Sequence, residues 1–150
     1  MFKVLKKDLL SPGVFRFDVD APRIAKKTQP GQFIILRVDE EGERIPLTVA
    51  DFDREKGIIT IIFQVVGAST QLLSELNEGD AILDFVGPLG RKSEVKPGLG
   101  TVVCIGGGIG VAPIYPIARA MKQAGNHVVS IMGARSKDIL IMEPEMKAAS

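Results

Sequence analysis

The hydrophobic pattern of the chain changes near residue 98, and this change constrains the fold more than any other feature. Before it, short segments such as Phe15–Asp20 alternate apolar with polar side chains, and turn residues separate them. After it, Thr101–Ile105 is a continuous apolar run. Alternation is typical of antiparallel strands with one buried face, whereas a continuous run is typical of parallel strands buried on both faces. We therefore predict a β-domain over residues 1–98 and an α/β domain over residues 99–150.

The first domain is predicted to be a six-stranded antiparallel barrel, because short strands separated by Gly, Pro, Asn and Asp are typical of small barrels. Its strands are predicted near residues 2–9, 15–20, 32–38, 44–50, 58–66 and 81–86. One short helix is predicted between the last two strands. There Ser69 and Thr70 precede Gln71–Leu76, and their hydroxyls are suitable for capping a helix start.

The second domain is predicted to be a partial Rossmann-like unit. A helix is expected over Val111–Ala124, with Pro113 and Pro116 tolerated only in its first turn, and a second buried strand over Val128–Met132. Another helical segment begins near Ile139. A mononucleotide-binding half requires a βαβαβ arrangement, so βαβ with one further element is incomplete.

Composition excludes several classes of protein. The chain has 150 residues, 45% of them hydrophobic, and a net charge of +1 without a basic segment, which argues against a nucleic acid partner. Its single cysteine, Cys104, cannot form an intrachain disulfide or hold a zinc ion or an iron–sulfur cluster alone. The chain contains neither a signal peptide's apolar run nor the ~18 apolar residues of a membrane span, so we expect a cytoplasmic protein.

The glycine-rich segment between the strand and the helix of the second domain is a candidate dinucleotide site. Glycines allow a tight turn and a close backbone approach to a pyrophosphate, although a turn that uses glycine only for packing is the alternative. Ala134 and Arg135 follow the second strand. Arg135 is expected to stack on adenine or contact a 2′-phosphate, or else to be a solvated loop arginine, so the choice between NAD and NADP stays open. The expected contacts with NAD(P) are Gly107, Gly108, Ile109, Gly110, Ala112, Pro113, Ala134 and Arg135.

Five motifs occur in the order seen in ferredoxin–NADP reductase-type flavoproteins, which the chain resembles over its whole length. They are Pro30–Phe33, Arg44–Thr48, Val65–Thr70, Gly87–Gly90 and Gly106–Pro113. Within that superfamily the chain is similar to two kinds of electron-transfer subunit. One is the electron-transfer subunit of dihydroorotate dehydrogenase. The other, which it resembles more, is the alpha subunit of NADH-dependent reduced ferredoxin:NADP oxidoreductase, also called the sulfide dehydrogenase beta subunit.

The resemblance implies that FAD binds to the barrel and that Thr48 is the catalytic residue, with its hydroxyl near flavin N5. On a strand, Arg44 and Thr48 share a face and lie ~13 Å apart, so Arg44 is expected to reach the pyrophosphate. The superfamily pattern is Arg-x-Tyr-Ser/Thr; alignment on Thr48 places Ile45 at the arginine position and Leu47 at the tyrosine position, which predicts aliphatic stacking on the flavin. Alternatively, Thr48 is an ordinary strand residue and Arg44 a surface ion-pair partner. The FAD contacts implied are Arg44, Pro46, Leu47, Thr48, Val65, Gly67, Ser69 and Thr70.

The function implied is that of an enzyme, an NAD(P)H/ferredoxin-type flavin oxidoreductase subunit. In the family, electrons pass between NAD(P)H and FAD and then through a [2Fe-2S] cluster to a larger catalytic oxidoreductase subunit; ferredoxin is a possible further partner. The cysteines that hold the cluster are absent from this chain. The alternatives are the electron-transfer subunit of dihydroorotate dehydrogenase and a non-catalytic fragment that binds no nucleotide.

Three other features are expected to be structural. Cys104, between Val103 and Ile105, is predicted to fill a buried apolar position. His127 follows a turn and is predicted to face solvent. The two carboxylates of Glu143–Glu145 are predicted to lie at a solvated helix start.

Overall fold

The computed structural model describes residues 1–150 and places the first seven strands in one antiparallel sheet. The strands are β1 (Phe2–Ser11), β2 (Val14–Asp20), β3 (Phe33–Arg37), β4 (Ile45–Asp53), β5 (Ile58–Gln64), β6 (Ala81–Ile82) and β7 (Asp84–Leu89). Two short helices connect them, α1 (Pro22–Lys27) and α2 (Ala68–Ser74). The predicted antiparallel barrel is confirmed.

The number of strands is seven rather than the predicted six, because the segment 81–86 forms two strands. The order across the sheet is β6-β1-β2-β5-β4-β3-β7, so the two consecutive strands lie at opposite edges. β6 pairs with β1 and β7 pairs with β3. Between them, the Leu83 amide donates to the Val38 carbonyl at 3.1 Å. The segment 81–86 is divided into two strands because the first and last edges of the sheet come together when it curls into a barrel. This segment passes from one edge to the other.

The interior of the barrel is filled by the apolar residues of the alternating strands. Sixteen buried side chains form this barrel core. At its centre the Phe63 ring meets the Phe17 ring edge-on, with centroids 5.1 Å apart. The alternation in Phe15–Asp20 therefore predicted the buried face of β2 correctly, with Phe17 and Val19 fully buried.

Both short helices differ from the sequence-based expectation. α1 was not predicted, because six residues give too short an apolar pattern; Pro22 starts it, and Ile24 and Ala25 are buried beneath it. α2 begins at Ala68, and its N-cap is Gly67 rather than a hydroxyl residue.

Lys7 fixes the far end of α2. Its ammonium group donates to the carbonyls of Ser74 at 2.6 Å and Leu76 at 2.8 Å, and lies 5.2 Å from the centre of the Phe15 ring. These bonds satisfy carbonyls that a helix end leaves without partners.

We expect Lys7→Met to lower the free energy of unfolding by about 1–3 kcal/mol, since two charge-assisted hydrogen bonds are lost while the apolar stem remains. Urea unfolding followed by circular dichroism measures this. Lys6→Met is the matched control: it removes an exposed pair with Asp8 at 3.3 Å, which contributes less than about 1 kcal/mol. Equal destabilisation by both substitutions would contradict the role of Lys7.

The rest of the chain forms a parallel α/β unit. Its elements are β8 (Thr101–Gly107), α3 (Val111–Gln123), β9 (His127–Gly133) and α4 (Glu143–Ala148). A 3-10 turn over Gly108–Gly110 connects β8 to α3. The partial Rossmann-like arrangement is confirmed. However, α3 continues through Pro116, which lies beyond the first turn to which the sequence had restricted it.

The two parallel strands are buried on one face only, contrary to prediction. Cys104 and Val128 lie under α3, while the side chains on the opposite face are exposed, most of all Ile105 at 68%. The difference arises because all helices of the unit pack on the same face. The open apolar face consists of Val103, Ile105, Val129 and Ile131.

Contiguous exposed apolar surface promotes association and dye binding. We expect the double substitution Ile105→Thr and Ile131→Thr to reduce both the fluorescence of a bound naphthalene sulfonate dye and the concentration-dependent self-association in sedimentation experiments. Threonine keeps the strand preference, so folding is retained. Leu9→Thr removes an isolated exposed leucine from β1 and serves as control. Equal dye binding by the double variant and the unchanged chain would contradict this prediction.

The two units share a second core. It contains Val14, Ala50 and Ile62 from the outer face of the barrel, packed against residues of α3 and α4 such as Val111 and Met146. The barrel and the α/β unit therefore pack together without a solvent layer. A domain boundary near residue 98 stays a prediction. No helix in the structure combines the length and the apolar character needed to cross a membrane.

Candidate functional site

A cavity of about 520 Å³ lies on the barrel between the segment before β4 and the segment after β5. Three of the residues predicted to bind FAD line it, namely Gly67, Ser69 and Thr70. The complete lining is Glu41, Gly42, Glu43, Ile45, Val66, Gly67, Ala68, Ser69, Thr70 and Leu72. The motif Val65–Thr70 is therefore placed at a concave surface.

Gly67 leaves this cavity open. Its backbone is extended, with φ of −178°, and a methyl group at its Cα would meet no atom within 4 Å. The fold itself therefore does not require glycine here. What the missing side chain provides is room for a ligand to approach the backbone closely.

Thr70 and Ser69 have different roles. The Thr70 hydroxyl accepts from the amides of Val66 at 2.9 Å and Gly67 at 3.1 Å, so it is occupied in shaping the loop. The Ser69 hydroxyl lines the cavity and forms no hydrogen bond within the chain. Ser69 is thus available to a ligand, whereas Thr70 holds the loop that presents it.

β4 presents alternate residues to opposite sides. Pro46 and Thr48 are exposed on the outer face, and the Thr48 hydroxyl has no hydrogen-bond partner. Ile45 and Leu47 are half-buried and pack against the barrel core. Thr48 is thus accessible to solvent, Leu47 does not share its face, and a contact of either residue with a flavin stays a prediction.

Arg44 precedes β4 and is held away from the cavity. Its Nη1 lies 3.1 Å from Asp84 Oδ2, which also accepts from Arg37 Nε at 2.8 Å. This is the ion-pair alternative considered for Arg44. A contact of Arg44 with a pyrophosphate, which stays a prediction, would require its guanidinium to leave Asp84.

Val66 was missed by the sequence analysis, which named Val65. Val66 is 77% exposed and lines the cavity, while Val65 is half-buried beside it. The strand β5 ends at Gln64, and its residues from Ile59 to Phe63 are all buried, so β5 itself shows no alternation. No pattern in the sequence therefore distinguishes the exposed Val66 from Val65.

The glycine-rich turn and the Arg135 segment lie side by side. Gly107 of β8 pairs in parallel register with Gly133 of β9, so both segments leave the carboxyl edge of the same sheet. This is where α/β sheets bind ligands. Ala134 and Arg135 are exposed, and Arg135 forms no ion pair. The structure thus brings together the two segments predicted to bind NAD(P).

The glycines of this turn have separable functions. A methyl group at Gly106 would lie 3.0 Å from Val111 Cα, so Gly106 allows α3 to pack on β8. At Gly107 and Gly110 a methyl group would meet nothing within 4 Å, and at Gly108 a positive φ of 56° favours glycine. Gly107 and Gly110 therefore leave space for a ligand.

The other three predicted contacts on this turn and helix are less open. Ala112 is buried in the second core, and Pro113 is half-buried at the start of α3. Ile109 is half-buried and lines a small cavity against the barrel. These three residues support the turn rather than face open solvent.

The glycine-rich turn contacts the barrel at the end of β5. Val49, next to Thr48, pairs with Ile61 of β5. Gln64 lies three residues further along β5, a rise of ~10 Å, and lines a cavity of about 160 Å³ together with Gly108 and Ile109. The glycine-rich turn therefore lies against β5, the strand that pairs with the one carrying Thr48.

Cys104 and Asp138 have shifted pKa values. Burial raises the pKa of the Cys104 thiol, which keeps it protonated, in agreement with its predicted buried position. Hydrogen bonds from Ser136 and from its own backbone lower the pKa of Asp138. His127 is exposed, as predicted. No group of three His, Cys, Asp or Glu side chains is placed to hold a metal ion.

The carboxylates at the start of α4 divide between two environments. Glu143 is exposed and pairs with Lys147 at 3.2 Å. Glu145 is half-buried, its Oε2 has no hydrogen-bond partner, and its Oε1 lies 4.0 Å from Arg16 of the barrel. The prediction of a solvated helix start is therefore correct for Glu143 and wrong for Glu145, because α4 packs against the barrel.

The chain is similar in sequence to electron-transfer subunits. The chain is 48% identical over 148 residues to a protein of Thermotoga maritima named dihydroorotate dehydrogenase B (NAD(+)), electron transfer subunit homolog, covering 99% of this chain and 52% of that protein. It is 35% identical to the corresponding subunit of Fusobacterium nucleatum over 79% of this chain and 47% of that protein. The chain thus spans about half the length of the relatives it matches.

Solved structures of oxidoreductases resemble the chain over its whole length. A structure of an NADH-dependent reduced ferredoxin-NADP oxidoreductase superposes with a TM-score of 0.95 at 45% identity, over 100% of this chain and 54% of that one. Phthalate dioxygenase reductase, at 17% identity and a TM-score of 0.77 over 99% of this chain and 47% of that one, shows the shared fold. Residues 1–93 match the family model of the oxidoreductase FAD-binding domain. The predicted resemblance to ferredoxin–NADP reductase-type flavoproteins is confirmed, and the chain belongs to the oxidoreductase FAD-binding domain family.

Proposed function

We propose that the chain is the flavin-binding part of an electron-transfer subunit that exchanges electrons with NAD(P)H. The observation that carries this proposal is the course of β4. Its first residue, Ile45, lines the cavity beside Gly67, and three residues later, ~10 Å along the strand, Thr48 presents a free hydroxyl on the outer face. An elongated cofactor with a pyrophosphate at one end of this surface and a ring at the other fits that arrangement.

Residues of the cavity and of the adjoining strand β4 would each make a different contact with FAD. Gly67 admits the pyrophosphate close to the backbone and the Ser69 hydroxyl donates to it, while Thr70 keeps the loop in shape. Pro46 and Val66 offer apolar contacts on the exposed side, and Leu47 and Val65 support them from beneath. Arg44 contributes if its guanidinium exchanges Asp84 for a phosphate.

The bound flavin would supply two-electron exchange with a nicotinamide and one-electron exchange with other centres. The chain's own contribution is placement. Thr48 orients the ring through one hydrogen bond, and the turn from Gly107 to Gly110, with Arg135 beside it, holds the dinucleotide so that its nicotinamide faces the same surface. Positioning of this kind accounts for most of what such a reaction needs from the protein.

The proposal extends to a partner. In the related electron-transfer subunits named above, electrons go on to a larger catalytic oxidoreductase subunit, and the relative at 45% identity favours a ferredoxin/NADP oxidoreductase partner. The relative at 48% identity supports the alternative, a dihydroorotate dehydrogenase partner. Affinity capture with each candidate catalytic subunit distinguishes them. A [2Fe-2S] cluster would need ligands other than the buried Cys104.

The direct test is flavin uptake. The purified chain, or the chain incubated with FAD and then desalted, is expected to show visible flavin absorbance at near-equimolar occupancy. Retention of FMN but not FAD would contradict the role of the pyrophosphate cavity. A chain that stays colourless after incubation with FAD would contradict the proposal and favour a non-catalytic module.

Thr48→Ala is expected to slow NADH-driven reduction of the bound flavin by about fivefold to tenfold, because one hydrogen bond to the ring is lost. Stopped-flow absorbance under anaerobic conditions measures this rate. Thr48→Ser keeps the hydroxyl and is the control, expected within about twofold of the unchanged chain. An equal rate for the alanine variant would remove Thr48 from the mechanism.

A further inference from the structure

A β-bulge in β4 reverses the expected orientation of its last residues. Val49 pairs with Ile61 of β5, but Asp51 pairs with Thr60, so β4 has one extra residue between these pairs. A bulge of this kind turns two consecutive side chains toward the same face. Ala50 accordingly lies in the second core and Asp51 faces α3, whereas Phe52 packs against the barrel core.

The bulge brings Asp51 to Arg119 of α3. Arg119 Nη1 lies 2.6 Å from Asp51 Oδ1, and its guanidinium is 5.4 Å from the centre of the Phe52 ring and 5.1 Å from that of Tyr115. Both charged side chains are about three-quarters buried, at 27% and 23% exposure. Burial opposes the charge on Arg119, but Asp51 and Tyr115 together raise its pKa above the ordinary value.

This pair joins the two elements that carry the proposed cofactor contacts. Asp51 lies three residues after Thr48 on β4, and Arg119 lies on the helix that begins directly after the glycine-rich turn. Only one other ion pair connects the barrel to the α/β unit, Arg16 with Glu145, and its atoms are 4.0 Å apart. The Asp51–Arg119 contact is therefore the short polar link between the flavin strand and the dinucleotide helix.

We propose that Asp51 and Arg119 are positioning residues which fix the glycine-rich turn relative to Thr48 and so set the distance between nicotinamide and flavin. The role in transfer rests on the proposed function. The bulge supports it, because an unbroken strand would turn Asp51 toward the barrel core and leave Arg119 without its anion. To the apolar packing of α3 on the barrel, the ion pair flanked by two aromatic rings adds a directional contact with one preferred geometry.

The first test needs no cofactor. Residual dipolar couplings of backbone amides report the orientation of the α/β unit relative to the barrel. In the unchanged chain, one alignment tensor is expected to fit both units. In the variant Asp51→Asn, the alignment tensors of the two units are expected to differ. In Asp51→Glu, which keeps the anion, the two tensors are expected to agree. The control is Glu55→Gln, which removes a carboxylate from the cleft beside Arg119 but breaks no ion pair. One common tensor in Asp51→Asn would overturn the proposal.

The second test separates positioning from general damage. With FAD bound, Asp51→Asn and Arg119→Gln are expected to lower the rate of flavin reduction at saturating NADH by about tenfold or more, since small misplacements of reacting groups have large effects on rate. The dissociation constant for FAD and the rate of reduction by dithionite are expected to change less than about twofold. A parallel loss of FAD affinity and of the dithionite rate would contradict a positioning role. Failure of the unchanged chain to bind FAD would instead contradict the proposed function, and the dipolar couplings would still decide the role of the pair.

Discussion

Gly67→Ala is expected to lower the affinity for FAD by about tenfold or more, which corresponds to about 1.4 kcal/mol, while the melting temperature stays nearly constant. The added methyl group meets no protein atom within 4 Å and the extended backbone accepts alanine, so the fold has no reason to change. The same methyl group stands in the cavity where the pyrophosphate would approach. Titration of the apoprotein with FAD, followed by quenching of flavin fluorescence, gives the affinity.

The control for this result is Gly133→Ala. Gly133 also has open space at its Cα and no positive φ, but it lies on β9, away from the barrel cavity. Its substitution is expected to leave the FAD affinity within about twofold. If Gly67→Ala binds FAD as tightly as the unchanged chain, the pyrophosphate does not lie against this loop, and the cavity beside α2 is not the cofactor site.

Two neighbouring glycines of the second unit are expected to respond in opposite ways. Gly106→Ala brings a methyl group to 3.0 Å from Val111 Cα and 3.1 Å from its Cγ2, so α3 has to shift. Overpacking of this kind lowers the free energy of unfolding by about 1–3 kcal/mol. Gly107→Ala meets no protein atom, so it is expected to keep the stability and to lower the affinity for NAD(P)H by about tenfold.

Thermal unfolding and titration with NADH and NADPH measure both effects on the same two variants. The pair also decides between the two interpretations of the glycine-rich turn. If Gly107→Ala binds the dinucleotides as the unchanged chain does, the turn serves only to pack α3 on β8.

The ratio of the affinities for NADH and NADPH, measured for Arg135→Ala and for the unchanged chain, shows whether the exposed arginine recognises a 2′-phosphate.

The elements that the sequence predicted are those set by local chemistry. Turn residues, alternation and β-branched content predicted the strands of the barrel, and helical apolar spacing predicted α3. The closure of the barrel depends on pairing of β6 with β1, far apart in the chain, and no local pattern encodes it. The one-sided burial of Ile105 and Ile131 likewise depends on where the helices pack, not on the apolar run itself.

Among the residues of the candidate site, too, local motifs could be recognised from the sequence and long-range contacts could not. Gly67, Ser69 and Thr48 could be named from the sequence because each lies in a local motif, and the structure leaves all three accessible to a ligand. The partner of Arg44 could not be found, because Asp84 lies 40 residues away in sequence. The contact of Asp51 with Arg119 could not be found either, because the two residues lie far apart in the sequence and no local pattern predicts the bulge that turns Asp51 toward α3. Long-range pairing and irregular backbone are therefore where sequence reasoning fell short.

The passage of the chain through Leu83 from one edge of the barrel to the other also bears on synthesis. β1 is synthesised before the other strands of the barrel, but its edge partner β6 lies some eighty residues later, and β3 likewise has no edge partner until β7 is made. Until residue 89 has emerged, both sheet edges carry unpaired amides and carbonyls, which are sites of unwanted strand pairing. The barrel is thus expected to fold as one late cooperative unit, and the nascent chain to need protection until then.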